Sequence, residues 1–331
     1  MTIPIVFSSD DRFVPYMAAT MQSVMEHSSR DKKYIFYVLY KAISESNIEL
    51  LQEQIAKFPQ FSIKFIDVMQ YLNQRQFYTT NTFPIEAYFR LFIPWLFPDY
   101  QKIIWLDGDM ISCSDIAELY EIDLCTAMLA AARDIYAIDS YYRGFKIMKD
   151  YLLSLDLRNM DNYFSTGVLV FNTEQFRKNI TLDKLLDLAA LREWRYVDQD
   201  VLNTLCNGKT VFLLPQEWNF IYSIADVCTK APVNIAKAYS DAKDNPKIVH
   251  FAGLKPWKVN TNMYYFHLFW KYAARTPFID TIIARMNEGG FIRPSMEMRE
   301  YIYSDILRGR IGLRFILKCL ITYTACIFRR K

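Results

Sequence analysis

The sequence predicts an α/β protein, a mainly parallel mixed sheet flanked by helices. Three observations carry that prediction. Strand-like and helix-like patterns alternate through the first seventy residues, which lays helices over a parallel sheet. Ile103-Ile104-Trp105-Leu106 is a continuous apolar run, with the length and lack of alternation of a strand buried on both faces. That run ends in Asp107-Gly108-Asp109, polar groups where open α/β sheets bind ligands. A chain of 331 residues can hold one large domain or two small ones and bury a substantial core.

The elements follow in order. Residues 3–7 read as a first buried strand, ending in Ser8-Ser9-Asp10-Asp11. Residues 16–27 place Met17, Met21, Val24 and Met25 on one helical face, a core stripe. Residues 33–40 form a second strand and 61–68 a third, with a helix between them running to Lys57. Ser46 and Glu49 suggest a capping box for that helix, with Ile48, Leu51 and Ile55 facing in. Neither a Gly-x-Gly-x-x-Gly nor a P-loop pattern occurs, so a bound nucleotide would be held by side chains and a metal.

Residues 85–95 look helical, ended near Pro94 and Pro98. Arg90, amid Tyr88, Phe89, Leu91 and Phe92, either snorkels to solvent or points into a charged site. A short helix over 116–120 precedes a strand over 128–132 that ends in Arg133-Asp134. Residues 164–172 form an apolar strand with Gly167 near its start, and 173–178, 182–194 and 199–206 are helical. Asp198 is placed as an N-cap, with Gln199 in the first turn. Ile248-Val249 lead into His250-Phe251-Ala252-Gly253-Leu254-Lys255-Pro256-Trp257. His250 reads as a satisfied polar residue or a ligand, and Lys255 as a solvated loop lysine or a point charge for phosphate.

Asp107 and Asp109 repel each other unless a cation lies between them, and hard oxygen ligands favour Mn²⁺ or Mg²⁺. Gly108 permits a tight turn and a close approach. A phosphatase of the haloacid dehalogenase type, with Asp107 as nucleophile, also fits the pair, although Met110 stands where Thr or Val is usual. The six cysteines are scattered without a Cys-x-x-Cys, which argues against a zinc site or disulfide framework and for a reducing compartment. No secretion signal is read at the N-terminus, so the expected location is cytoplasmic. Aromatic residues, at 16%, suit either an aromatic core or sugar-binding platforms. The net charge of +3 is uneven: residues 306–331 carry seven Lys or Arg and no acid, leaving about −4 elsewhere by subtraction (3 − 7). That pattern gives no reason to expect a nucleic-acid partner.

Five segments taken in order resemble glycosyltransferase family 8, the bacterial galactosyl- and glucosyltransferases that build lipopolysaccharide and related surface glycans. They are the opening strand into Asp10, Tyr88-Phe89-Arg90-Leu91, Leu106-Asp107-Gly108-Asp109, Asp198-Gln199-Asp200 and the His250 to Trp257 block. The resemblance spans about residues 1–270, and the last block with Asp-Gln-Asp upstream is its most specific part. It implies a GT-A fold, a UDP-hexose donor, Mn²⁺ and transfer with retention. By the same resemblance Asp107, Asp109 and His250 would bind metal, and Lys255 the diphosphate. Asp10 and Ser8 would meet the uridine, and Arg90, Asp134 and Asp198 the donor sugar. Gly108 and Gly253 would belong to the nucleotide-binding segments. Gln199 would lie on the sugar face opposite the leaving group, stabilising an oxocarbenium-like state beside Asp198. A non-catalytic nucleotide-sugar- or glycan-binding protein is the other reading.

Two positions depart from the family pattern. Ser165-Thr166-Gly167 stands where Asn-Ala-Gly or Asn-Ser-Gly is common, so Ser165 would reach a sugar less far; Arg12 replaces an expected small polar residue. The expected division is a catalytic domain over 1–275 and a helical extension over 276–331. In the extension Arg310, Arg314 and Lys318 share one helical face, and the apolar run 319–328 is ten residues long. A spanning helix needs about twenty, so the tail is expected to lie on an anionic membrane surface rather than cross it. The expected partners are therefore a UDP-hexose, a glycan or glycolipid acceptor and the inner face of the cell membrane.

Overall fold

The computed structural model describes residues 2–288, apart from 73–74, 81–82, 208–209, 223–229, 254 and 259–264. The tail residues Arg310, Arg314 and Lys318 and the run 319–328 lie outside the described residues, as does Leu254. Among the described residues no helix is long and apolar enough to cross a membrane.

Strands β1 (Thr2–Ser9), β2 (Lys33–Tyr40) and β3 (Phe61–Asp67) match the three expected from the opening alternation, with helices Val14–His27 and Glu45–Ile55 between them. The others are β4 (Lys102–Leu106), β5 (Met110–Ser112), β6 (Leu129–Arg133), β7 (Phe164–Asn172), β8 (Val211–Leu213), β9 (Phe220–Ile221) and β10 (Ile248–His250). Seven of them form one sheet in the order β3-β2-β1-β4-β7-β6-β8. Every neighbouring pair is parallel except those of β7, which runs antiparallel to both β4 and β6. The apolar run of β4 is buried on both faces as its lack of alternation requires. Ile103 and Trp105 pack into one hydrophobic cluster, Ile104 and Leu106 into the other.

Chain order reverses between β1 and β4, because β2 lies on one side of β1 and β4 on the other. Such a switch point leaves a crevice beyond the strand ends. Asp107 and Asp109 follow β4 there, and Ser8 and Asp10 lie at the end of β1. A second sheet, ordered β5-β10-β9, brings the far end of the chain back to this place. β10 pairs antiparallel with β5, setting His250 opposite Met110. The turn between β4 and β5 is fastened by Thr20, whose Oγ1 lies 2.9 and 2.8 Å from the carbonyls of Gly108 and Met110. A Cβ on Gly108 would come within 2.9 Å of the Phe13 ring, so the helix Val14–His27 packs here only against glycine.

The structure corrects several local expectations. Residues 85–95 are not one α-helix but a 3₁₀ stretch, Ile85–Phe92, followed by a short α-turn, Ile93–Leu96. In an α-helix the Arg90 carbonyl would bond the N–H of residue 94, which is proline; the Ile93 N–H takes it instead. Ser44, not Ser46, is the N-cap of the second helix, and its hydroxyl donates to Asp11. The helix carrying Asp198 and Gln199 begins at Val197 with Tyr196 as N-cap, so Asp198 lies inside the first turn and caps nothing. Two helices between β6 and β7, Ile135–Arg143 and Lys146–Leu153, have no counterpart in the sequence reading. Near the end of the described residues, Phe278 and Ile282 are buried in the hydrophobic clusters.

Candidate active site

β4 and β10 bring three ligand-type side chains together. One ligand atom from each of Asp107, Asp109 and His250 lies within 4.8 Å of the others. His250 Nε2 is 3.3 Å from Asp109 Oδ1 and 3.7 Å from Asp107 Oδ2. The His250 side chain is 4% exposed and that of Asp107 25%, so the cluster opens to solvent on the Asp107 side. Lys255 reaches back from the loop after β10 to pair with Asp109 and to donate to the Phe251 carbonyl at 2.7 Å. The Lys255 side chain is thus ion-paired, and only 19% of it is exposed.

Arg90 settles its own alternatives in the same way. It is 6% exposed and points inward. Its guanidinium spans two carboxylates, Asp107 at 3.0 Å and Asp198 at 2.9 Å. It also donates to the Thr166 carbonyl and lies over the Trp105 ring, 4.5 Å from the centroid. Trp105 Nε1 donates to Asp107 at 3.0 Å. Thus β4 serves the site twice: through the ring of Trp105 below Arg90 and through the carboxylates just beyond its end.

Asp198 and Gln199 face the start of β7. Asp198 accepts from the Thr166 hydroxyl at 2.9 Å. Gln199 Oε1 accepts from the Thr166 N–H at 3.2 Å, and Nε2 donates to Asp134 at 2.8 Å and to the Tyr163 hydroxyl at 3.2 Å. Val197, just before them, has φ of 35°, a region that β-branched residues avoid. The helix is pinned to β7 by Asn203, whose amide bonds both the N–H and the carbonyl of Phe164, at 2.9 and 2.8 Å. Asp200 is buried and accepts from Tyr163 at 2.6 Å and from Tyr151. Asp134 also caps the helix Ile135–Arg143 through the Ala137 N–H at 3.0 Å.

The remaining expected residues are more peripheral. Ser8 donates to the Glu86 carbonyl at 3.0 Å, and Asp10 accepts from the Phe13 N–H at 2.7 Å. Ser165 is buried and turned to its own strand, near the Gly167 N–H at 3.4 Å. Gly253 is exposed, and Arg12 projects into solvent with its Nε 3.9 Å from Asp10. Sequence reasoning assigned no role to Gly167, Thr166, Trp105 or Asn219. Gly167 has a steric one: a Cβ there would lie 2.4 Å from His250 Cε1.

Burial and charge divide the carboxylates. Burial alone would raise the Asp109 carboxyl, but Lys255 and His250 hold it well below the usual range. Burial pushes Asp107 up against the pull of Arg90, and the charge of Asp109 adds to the rise. Burial likewise pushes Asp198 up to about 7 despite Arg90, and raises Asp134. The cluster therefore resists carrying all its negative charge until further positive charge arrives.

A switch-point crevice with an Asp-x-Asp pair, and a histidine brought to it by a second small sheet, defines this as a GT-A fold. The chain belongs to glycosyl transferase family 8: residues 4–261 match the model of that family. General stress protein A of Bacillus subtilis is 25% identical over 285 residues, 82% of this chain and 93% of the relative. The lipopolysaccharide 1,2-glucosyltransferase of Escherichia coli K12 is 28% identical over 183 residues, 54% of this chain and 51% of the relative. Among solved structures, the bifunctional glycosyltransferase WbbM superposes with a TM-score of 0.77 at 27% identity, covering 86% of this chain and 51% of WbbM. The galactosyltransferase LgtC, solved with donor and acceptor sugar analogs, gives 0.69 at 22% identity over 84% of this chain and 96% of LgtC. Family membership sets aside the phosphatase reading of Asp107.

Proposed function

We propose that this protein moves a hexose, glucose or galactose, from a UDP-sugar to a glycan acceptor with retention at the anomeric carbon, using Mn²⁺ or Mg²⁺. The observation that carries the reading is the convergence of Asp107, Asp109 and His250 within 4.8 Å at the sheet's switch point. Two carboxylates and one imidazole, beside a lysine already drawn to Asp109, fit a hard divalent cation and an anionic ligand. A cation held there would offset the charge that grows on the diphosphate as the sugar leaves.

The chain's own groups divide the other tasks. Lys255 turns from Asp109 to the diphosphate as a point charge. Ser8 and Asp10 meet the uridine, with Gly108 and Gly253 letting the backbone approach. Arg90, Asp134 and Asp198 hold the hydroxyls of the donor sugar, with Ser165 as a shorter-reaching contributor. Gln199 lies against the sugar; an amide is a poor nucleophile, so it stabilises positive charge rather than forming a bond, and the acceptor hydroxyl attacks from the leaving-group face as the bond to the diphosphate breaks, giving its proton to the departing diphosphate oxygen. A glycosyl adduct trapped on Gln199 or Asp198 would sink that mechanism.

The acceptor we propose is a lipid-linked surface glycan, in keeping with the lipopolysaccharide glucosyltransferase among the relatives. Residues 1–275 would be the catalytic unit, working at the cytoplasmic membrane face. Residues 306–331 would rest on anionic lipid, with seven cationic side chains and no acid. Removing residues 306–331 should then release the protein from anionic vesicles; undiminished binding would count against the tail.

The direct test is UDP release from a panel of UDP-hexoses with Mn²⁺, for the wild type and Asp109→Ala. Metal-dependent turnover of one donor, lost in the variant, is expected. No release from any donor, even with membrane glycolipid extract added, would favour a non-catalytic binding protein.

A further inference from the structure

Asn219 takes no part in the chemistry above, yet it touches the metal trio. It ends the short turn Gln216–Asn219, just before β9, and it is fully buried. Its Oδ1 lies 2.9 Å from His250 Nδ1. Its Nδ2 has no partner among the described residues. The group this amide turns to the ring is its oxygen.

An amide oxygen can only accept. Nδ1 of His250 therefore carries a proton, and in the neutral ring that leaves Nε2, 3.3 Å from Asp109 Oδ1, to present its lone pair to the carboxylate pair. We infer that Asn219 is a positioning residue for the divalent cation: it fixes His250 in the Nδ1–H tautomer and aims Nε2 into the carboxylate pair. The inference rests on the metal reading of that trio. Ligating histidines commonly donate their second ring N–H to an oxygen, which sets the tautomer and raises ligand basicity.

The surroundings hold Asn219 to this task. Gln216 Nε2 donates to the Asn219 carbonyl at 3.1 Å and to the Arg133 carbonyl at 3.2 Å, tying the turn to the end of β6. Pairing of β9 with β10 sets His250 opposite Ile221, two residues on. From the other side the ring meets Gly167. Turn, strand pairing and glycine together leave the imidazole one position.

Two measurements on the full chain test the inference. The chain has three histidines, His27, His250 and His267. Long-range ¹H–¹⁵N spectra of metal-free protein, assigned with His27→Gln and His267→Gln, report each tautomer directly. A proton on Nδ1 of neutral His250 is expected; a proton on Nε2 overturns the inference without any substitution at Asn219. Second, Mn²⁺ titration by calorimetry should give a dissociation constant about 10- to 100-fold weaker for Asn219→Ala. Asn219→Asp, whose oxygen still accepts from Nδ1–H, should stay within a few-fold of wild type. An Ala variant that binds like wild type, or an Asp variant as weak as Ala, overturns it. A wild type that binds no Mn²⁺ would overturn the metal reading instead, and the tautomer would still decide what Asn219 does. Should the Ala variant fail to fold, the tautomer and the Asp variant carry the test.

Discussion

Gly167→Ala sets two opposing effects against each other. Glycine inside a strand is worse than alanine by about 0.5–1 kcal/mol, so the substitution alone would stabilise β7. Gly167 is not among the residues with positive φ, so alanine meets no backbone penalty there. The new methyl, however, would lie 2.4 Å from His250 Cε1, 2.8 Å from Nδ1 and 2.8 Å from Met110 Cε. Ordinary contact begins at 3.4 Å, so the imidazole must retreat by 1.0 Å (3.4 − 2.4). It has nowhere to go cheaply, because Asn219 holds Nδ1 at 2.9 Å. Overpacking of this kind costs about 1–3 kcal/mol, which outweighs the propensity gain. The expected result is a net loss of about 1–2 kcal/mol by urea unfolding. Mn²⁺ affinity should fall at least tenfold by calorimetry, since Nε2 leaves its place beside Asp109. A variant more stable than wild type with unchanged Mn²⁺ affinity would refute the steric argument and leave Gly167 an ordinary strand residue.

Other consequences can be measured on the same preparation. Arg90→Met strips the counter-charge from two buried carboxylates, Asp107 and Asp198, and should cost about 3–5 kcal/mol in urea unfolding; a loss below about 1 kcal/mol would mean that water screens these pairs. Asp198 has its carboxyl raised to about 7 by burial, above its unfolded value near 4. Its contribution is therefore complete below about pH 4 and fades as pH rises through about 7. Without metal or donor, Asp198→Asn should flatten the decline in stability between those values, and an unchanged pH profile would contradict the assignment. Lys255→Met should release Asp109 from its depressed range and weaken UDP binding by about tenfold or more, as loss of a charged hydrogen bond does; equal UDP affinity would remove Lys255 from the diphosphate.

Much of this protein was legible because the relevant signals are local. The strand β4 could be read because a strand covered on both faces needs no alternation, and Asp107 and Asp109 could be read because one turn sets their spacing. The opening alternation held for the same reason, each element carrying its own period. Arg90, Asp198 and Lys255 were identifiable as residues but not as partners. Whether a cation snorkels, caps a helix end or pairs inside is decided by what the fold sets against it. Asp198 looked like an N-cap because an acid before a helical run usually is one; in the folded chain Arg90, more than a hundred residues earlier, claims its carboxylate. The 3₁₀ stretch around Arg90 was hidden by an apolar pattern that also suits an α-helix, although Pro94 carried the clue.

By itself, then, the sequence determined the α/β alternation, the buried central strand and the acidic pair at its end, because each depends on residues a few positions apart. His250 was set with that pair only through the family resemblance; the tertiary structure brought it there, faced its second nitrogen with Asn219 and left it room at Gly167. Those three come from β10, the turn before β9, and β7, and their contacts cross from 31 residues of chain (250 − 219) to 143 (250 − 107). No local pattern encodes such a meeting. It follows from the reversal of strand order at β1 and the pairing of β10 with β5, which close the small sheet over the end of the large one.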